Sequence, residues 1–297
     1  MSEDTSRSGF YYALSAYLVW GCLPLFWKLT ENIDPVEVTA HRALWAVPFA
    51  AFVCWAIGRT GDILPTFRSP RKLAILFACS CLISFNWVLF IWAIGAERVM
   101  ETALAYYINP LLSILLAYLF LAERFNRLQL SAIVLACIAV LMLTIVGGQF
   151  PWISMLLAIT FGFYGLLRKA VDVGPTQGFL VEVILISPIV VGIVLWKLVN
   201  GTSALQASSQ DAMLMVLAGP ATAVPLILFA FGAKKLRLST IGLMQFIAPT
   251  MIFLTGVFIF GEPLRDIQLA AFVLIWIALV LYAVSIMRSE RQEKTTL

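Results

Sequence analysis

The chain has 297 residues, of which 62% are hydrophobic and 12% charged, with a formal net charge of +4 and a mean hydropathy of +0.96. A soluble domain carries about 25% charged residues, so this composition calls for lipid as the solvent and excludes a water-soluble globular fold. The small positive excess lies in short clusters between apolar blocks, so no continuous basic face exists and nucleic acid is not an expected partner.

Taken in chain order, the apolar blocks predict ten membrane-spanning helices over 10–28, 36–58, 73–95, 102–121, 129–147, 151–168, 176–197, 212–231, 239–260 and 267–287. Most are near the ~20 residues that cross a hydrocarbon core. Helices are the default because lipid offers the backbone no hydrogen-bond partner. The first span carries Pro24 between Trp20 and Trp27, and it ends at Trp27-Lys28 with no small-residue cleavage site. It therefore reads as a span and not as a removable leader. The second opens at Glu37 and contains His41 and Arg42; the third holds Asn86 and Trp87 near its middle. In the fourth, Tyr106, Asn109, Pro110 and Ser113 share a face by three- and four-residue steps. The sixth is short, holds Gly162 and Gly165, and carries Thr160, Tyr164 and Arg168 as a stripe. Glu182 lies in the seventh, and Gln245, Ala248, Pro249 and Phe253 share a face of the ninth. Residues 1–9 and 288–297 form polar tails.

Lys and Arg set the orientation. With the N-terminus inside, the inner segments hold Arg59, Arg68, Arg71, Lys72, Arg124, Arg127, Arg168, Lys169, Lys234, Lys235 and Arg237 as well as the charges of both tails. The outer segments hold Lys28, Arg98, Lys197 and Arg265. The positive-inside rule then places both termini in the cytoplasm.

The sequence also repeats itself. Pro110 matches Pro249, Glu123 matches Glu262, and Gln129 matches Gln268, all at one spacing. Gly21, Lys28, Pro35 and Pro48 match Gly162, Lys169, Pro175 and Pro188 within two positions of that spacing. A tandem duplication takes precedence in reading a fold. It divides the chain into a first repeat at 10–147 and a second at 151–287, each with five spans. An odd number of spans inverts one copy relative to the other, which is a transporter architecture.

The segment Ala103-Leu104-Ala105-Tyr106-Tyr107-Ile108-Asn109-Pro110-Leu111-Leu112, closing in Leu121-Ala122-Glu123-Arg124, resembles the EamA-type branch of the drug/metabolite transporter superfamily. His41-Arg42 with Trp45, and Ser84-Phe85-Asn86-Trp87, are similar to the RarD group of that branch. The resemblance covers roughly 10–287. It implies ten helices in two inverted five-helix repeats around a central cavity, and transport of small organic molecules across a bacterial inner (plasma) membrane. Small four-helix relatives couple protons through a carboxylate in their first helix. Residues 10–28 contain no Asp or Glu, so that mechanism does not carry over.

Ionisable side chains within spans are costly, which makes each a functional candidate. Arg42 sits roughly 10 Å below the outer boundary at 1.5 Å rise per residue, and its repeat-mate is Glu182. A direct Arg42–Glu182 pair is one expectation; snorkelling or helix-packing contacts are the alternatives. His41, the only histidine, is turned about 100° from Arg42, so one of the two is expected to face the bundle and the other its rim. Arg42, Asn86, Trp87, Tyr106, Asn109, Tyr164 and Gln245 are the candidate cavity residues, and His41 and Glu182 the candidates for coupling or gating. Pro24, Pro110 and Pro249 are candidate helix breaks, since proline removes a backbone bond and kinks a helix. Interhelical glue is the rival role for Asn109 and Gln245. Glu123 and Glu262 fall at span ends and are expected to cap helices or loops. Glu37 and Glu101 open helices, where a carboxylate offsets the positive dipole end.

The expected partners are a small-molecule substrate and the lipid bilayer, with a homodimer left open. The five cysteines show no metal or disulfide spacing and read as apolar fillers, with Cys79 and Cys81 pointing apart on their helix. No cofactor, metal or catalytic residue is expected. No phosphate-cradling glycine loop exists, so any driving force is a gradient. An intramembrane enzyme would need a nucleophile–base pair or metal cluster, and one histidine leaves little to build it. A non-transporting membrane scaffold or sensor is the other alternative.

Overall fold

The computed structural model describes residues 3–61, 63–121, 126–146, 148, 150–233, 244 and 246–295. The described elements are all helical. In chain order they are α1 (Glu3–Lys28), α2 (Pro35–Ala56), a short α3 (Ile63–Phe67), α4 (Pro70–Gly95), α5 (Val99–Leu121), α6 (Arg127–Ile145), α7 (Trp152–Ala170), α8 (Pro175–Val199), a short α9 (Ala204–Ala207), α10 (Ser209–Ala233), α11 (Ile247–Leu254) with a π-helical turn (Thr255–Ile259), and α12 (Asp266–Thr295). Among the described residues, six stretches are long and apolar enough to cross a membrane: Ser8–Lys28, Pro35–Ala56, Pro70–Gly95, Arg127–Ile145, Thr176–Ala207 and Asp266–Ser285. Trp152–Arg168 and Ile247–Ile259 are shorter apolar helices. The chain is an all-α polytopic membrane protein.

The repeat-matched residues take matching local roles. Pro35 and Pro175 each begin a helix, where the missing N–H is no loss. Pro48 and Pro188 lie inside those same two helices. Gln129 reaches back to the Asn126 N–H at 3.0 Å, completing a capping box, and Gln268 likewise accepts the Arg265 N–H at 2.9 Å, without the reciprocal side-chain bond that an arginine cannot make. Gly21 and Gly162 are close-approach points: a Cβ would come within 2.7 Å of Met251 in the first case and 2.9 Å of Leu116 in the second. The expected proline breaks differ from one another. Pro24 lies inside the continuous α1. Position 110 falls within the continuous α5, and the Pro110 side chain lies outside the described residues. Pro249 instead occupies the first turn of α11, where proline is tolerated, and the irregularity follows it as the π turn.

The chain divides into two compact units, and each draws on both sequence repeats. The first comprises Met1–Cys22, Glu97–Gly162 and Phe229–Leu297; the second, Leu23–Ala96 and Phe163–Leu228.

Within the first unit α6 packs along α12 and α5 along α11. The α6 seam is Ala132, Ala136, Ala139 and Leu143, and the α12 seam is Ala271, Ile275, Ala278 and Leu279, all buried. Three- and four-residue spacing puts each set on one face, and the alanines let the backbones approach, as helix interfaces in lipid require. Tyr107 donates to or accepts from Thr250 Oγ1 at 2.7 Å, and packs edge-on against Phe272 and Trp276. Glu262 accepts the Val99 N–H at 2.6 Å and the Met100 N–H at 2.9 Å. It thus caps α5, the capping role expected of a span-end acid; Glu123 lies outside the described residues.

Within the second unit α2, α4 and α8 pack on one another. Ala40, Ala43, Ala46 and Ala50 form a small-residue stripe on α2. Against it lie Ile186, Val190 and Val194 at one level, and Leu180 and Val183 at another. Gly219 of α10 meets the Trp45 side chain and backbone so closely that no Cβ fits between them. This tight frame positions the charged side chains described next. Cys79 is buried and Cys81 exposed on α4, consistent with their opposed directions.

Candidate functional site

The second unit gathers three polar groups in an otherwise apolar interior. The first centres on Glu182 of α8, which is 1% exposed. Its Oε1 lies 3.3 Å from Arg168 Nε, and its Oε2 accepts the Tyr164 hydroxyl at 3.1 Å. Tyr164 and Arg168 are one turn apart on α7 and so face α8 together. The Arg168 guanidinium also donates to the Gly174 carbonyl at 3.2 Å. Gly178 explains how it reaches: one turn before Glu182 on α8, its missing Cβ leaves the space that the guanidinium fills. Ser80 of α4 donates to the Glu182 backbone carbonyl at 2.8 Å, tying a third helix to the same level. Cys79 lies near enough to feel both the Glu182 and Arg168 charges.

The second group is Arg42 of α2. Its guanidinium carbon stands 4.1 Å from the Trp87 ring centroid and 5.0 Å from that of Trp27. Both distances are within the range of cation–π attraction. Trp27 is fully buried. Asn86, next to Trp87 on α4, is buried as well.

The third group surrounds Glu37. Asp34 caps α2 by accepting the Val36 N–H at 2.9 Å. Lys197 of α8 lies 2.7 Å from Asp34 and 3.3 Å from Glu37. Glu37 also accepts from Ser203 and Ala204, and His41 lies one turn along α2. Burial alone would raise the Asp34 carboxyl, but the Lys197 and Val36 hydrogen bonds and the Lys197 charge hold it below its ordinary value.

Several expectations change here. Glu182 pairs with Arg168 and Tyr164, whereas repeat position had offered Arg42. Arg42 is instead stacked on two indoles. His41 and Arg42 were expected to divide between bundle and rim. Both are buried, at 1% and 8% exposure, and α2 packs against both α8 and α4. Of the candidate cavity residues, the structure brings Arg42 and Trp87 together and joins Tyr164 to Glu182. Tyr106 and Asn109 belong to the first unit. Tyr106 is half-buried. Asn109 is 8% exposed, and its Oδ1 has no hydrogen-bond partner among the described residues. Gln245 lies outside the described residues. Sequence reasoning missed three contributors: Gly178, the Glu37 hub, and Lys197, which it had placed at an outer boundary. Arg168 was visible only as part of a stripe with Tyr164.

Ionisable side chains buried within apolar helices are costly, and each is a functional candidate. The EamA-like transporter family model matches residues 7–145. The chain is 38% identical to the protein RarD of Streptomyces exfoliatus over 100% of this chain and 94% of that relative. It is 37% identical to an uncharacterized transporter of Pseudomonas aeruginosa, covering 98% of each. A solved crystal structure aligns with a TM-score of 0.61 at 15% identity, covering 96% of this chain and 97% of the other; that likeness shows the fold alone. The chain therefore belongs to the EamA-like transporter family of the drug/metabolite transporter superfamily, and it is RarD-like.

Proposed function

We propose that this protein is a secondary transporter that moves small organic molecules, amino-acid-like metabolites or drugs, across the bacterial inner membrane. It works by alternating access, with ten spans arranged as two inverted five-helix repeats and both termini cytoplasmic. The observation that carries the reading is the Arg168–Glu182–Tyr164 group, enclosed in lipid-spanning helices of a transporter family. A buried ion pair is weak support for stability, and ionisable side chains inside a span are functional candidates because they are costly there.

In this scheme Glu182 holds Arg168 while ionised. A proton taken up on Glu182 cancels the pair and leaves the guanidinium to an anionic group of the substrate. Arg42, lying over the rings of Trp27 and Trp87, offers a second cationic contact, and Asn86 a neutral one. Facilitated diffusion, with Glu182 fixed in one state, is the rival.

The test is a thermal-shift screen of purified protein against amino acids and small drugs, followed by flux of each hit in proteoliposomes. Glu182→Gln and Arg42→Gln should each reduce flux at wild-type expression. Wild-type rates in both variants would remove these residues from the transport path.

A further inference from the structure

Glu37 lies in the first turn of α2, yet its carboxylate is buried, at 1% exposure, and clamps a distant segment. Its Oε1 accepts the Ser203 hydroxyl at 2.8 Å and the Ala204 N–H at 2.8 Å. These two residues begin the short strap Ser203–Ala207, in which Ser203 caps α9. Lys197 holds the other oxygen, Oε2, at 3.3 Å.

His41 faces the same carboxylate. Its Nε2 is 4.0 Å from Glu37 Oε1. The ring is 1% exposed, and neither ring nitrogen has a hydrogen-bond partner among the described residues. A carboxylate has about four acceptor sites over its two oxygens, so Oε1 has about two, and Ser203 and Ala204 fill them. A third donor can bind Oε1 only by displacing one of those. Neutral imidazole has a single N–H and no charge to force the exchange. Imidazolium donates from both nitrogens, and a charge-assisted hydrogen bond is roughly twice as strong as a neutral one.

We propose that His41 is a proton-operated release for the Ser203–Ala207 strap: once protonated, it takes Glu37 Oε1, and the anchor on Ser203 and Ala204 lets go. The charges on neighbouring elements are committed elsewhere. Lys197 bridges Asp34 and Glu37. On α8 and α4, Glu182 pairs with Arg168 and Lys72 with Asp172. Asp211 of α10 takes the Ser208 hydroxyl, and Arg42 lies on Trp27 and Trp87. Glu37, at 4.0 Å, is the ionisable partner that His41 meets among the described residues. The release needs only this local geometry. That the strap answers acid on the outer side rests on the orientation proposed above, and the experiment below does not depend on transport.

The test is hydrogen–deuterium exchange on the full chain in nanodiscs, read on peptides covering 200–208 and corrected for the intrinsic pH dependence of exchange. Between about pH 8 and about pH 4.5, a range that covers the ordinary charge change of histidine and extends well below it, wild-type protection of this segment should fall about tenfold or more, as in local opening. His41→Gln should keep its protection across the range. Should that variant fail to fold, wild-type protein labelled with ¹⁵N-histidine gives the same answer, because His41 is the only histidine. Its protonation midpoint should coincide with the loss of protection. Protection that does not change with pH, a loss that persists in His41→Gln, or midpoints that do not coincide would each overturn the proposal.

Discussion

Arg168 reaches Glu182 across the gap left by Gly178, and the two close to 3.3 Å inside the second unit. Glu182 is 1% exposed, so a charge left there alone is expensive. Arg168→Leu should therefore destabilise the protein by about 3–5 kcal/mol, and the double variant Arg168→Leu/Glu182→Leu should recover much of that loss. Unfolding of the single and double variants in one detergent measures the coupling. A double variant that is stable but inactive in flux separates the functional from the structural role. Additive losses would mean that the two side chains do not act as a pair.

Gly178→Ala tests the same site from the side. The new Cβ would occupy the place of the Arg168 guanidinium, so the arginine must withdraw from Glu182. We expect this one-carbon change in a helix to impair flux about as much as Arg168→Leu, although alanine is the better helix former by roughly 1 kcal/mol. Unchanged flux with raised stability would show that the arginine has another route to its partner.

Arg42 draws attraction from two indoles, each interaction worth about 0.5–2 kcal/mol depending on desolvation. Trp87→Leu should lower stability by that order plus its packing loss. Arg42→Lys should keep the charge but lose the planar stacking. Thermal unfolding of the two variants, with tryptophan emission as the readout, checks this. If Arg42→Gln leaves the emission spectrum unmoved, the guanidinium is not lying on Trp27 and Trp87.

The depressed Asp34 carboxyl makes a prediction in acid. Its stabilisation is fully present above the ordinary carboxylate value of about 4 and is lost as pH falls through the lower folded value. Wild type should therefore lose more stability than Asp34→Asn between about pH 5 and about pH 3. Parallel pH profiles for the two proteins would show that the Lys197 contact adds nothing.

Much of the fold was legible in the sequence because membrane helices announce themselves by length and apolarity. The starts of α2 and α8 at Pro35 and Pro175, and the capping glutamines at 129 and 268, were signalled by the duplication before their roles were known. The site was less legible. Repeat equivalence pointed from Glu182 to Arg42, but equivalent positions in two copies need not touch. The partner of Glu182 came from α7, which the stripe of Tyr164 and Arg168 hinted at only faintly. Glu37 read as an ordinary first-turn carboxylate. Its hub role depends on the loop after α8 returning Ser203 and Ala204 to the start of α2, a long-range fact that no local spacing carries. Gly178 had no signal at all, since a glycine that makes room for a neighbour looks like any other.

Topology has its own test. Cysteines introduced as Pro65→Cys and Leu205→Cys, in a background cleared of the native cysteines, should label from opposite sides of the membrane if each repeat holds an odd number of spans. Labelling of both from one side would break the inverted arrangement.

The transport account is tested most directly by accumulation in proteoliposomes with and without an imposed pH gradient, at zero membrane potential. The solute should be one that raises the melting temperature of the purified protein. Wild type should concentrate that solute inside the vesicles when the gradient is present and merely equilibrate it when absent, and Glu182→Gln should equilibrate it in both cases. Accumulation that ignores the gradient would contradict proton coupling through Glu182, and vesicles that move none of the stabilising solutes would contradict transport itself.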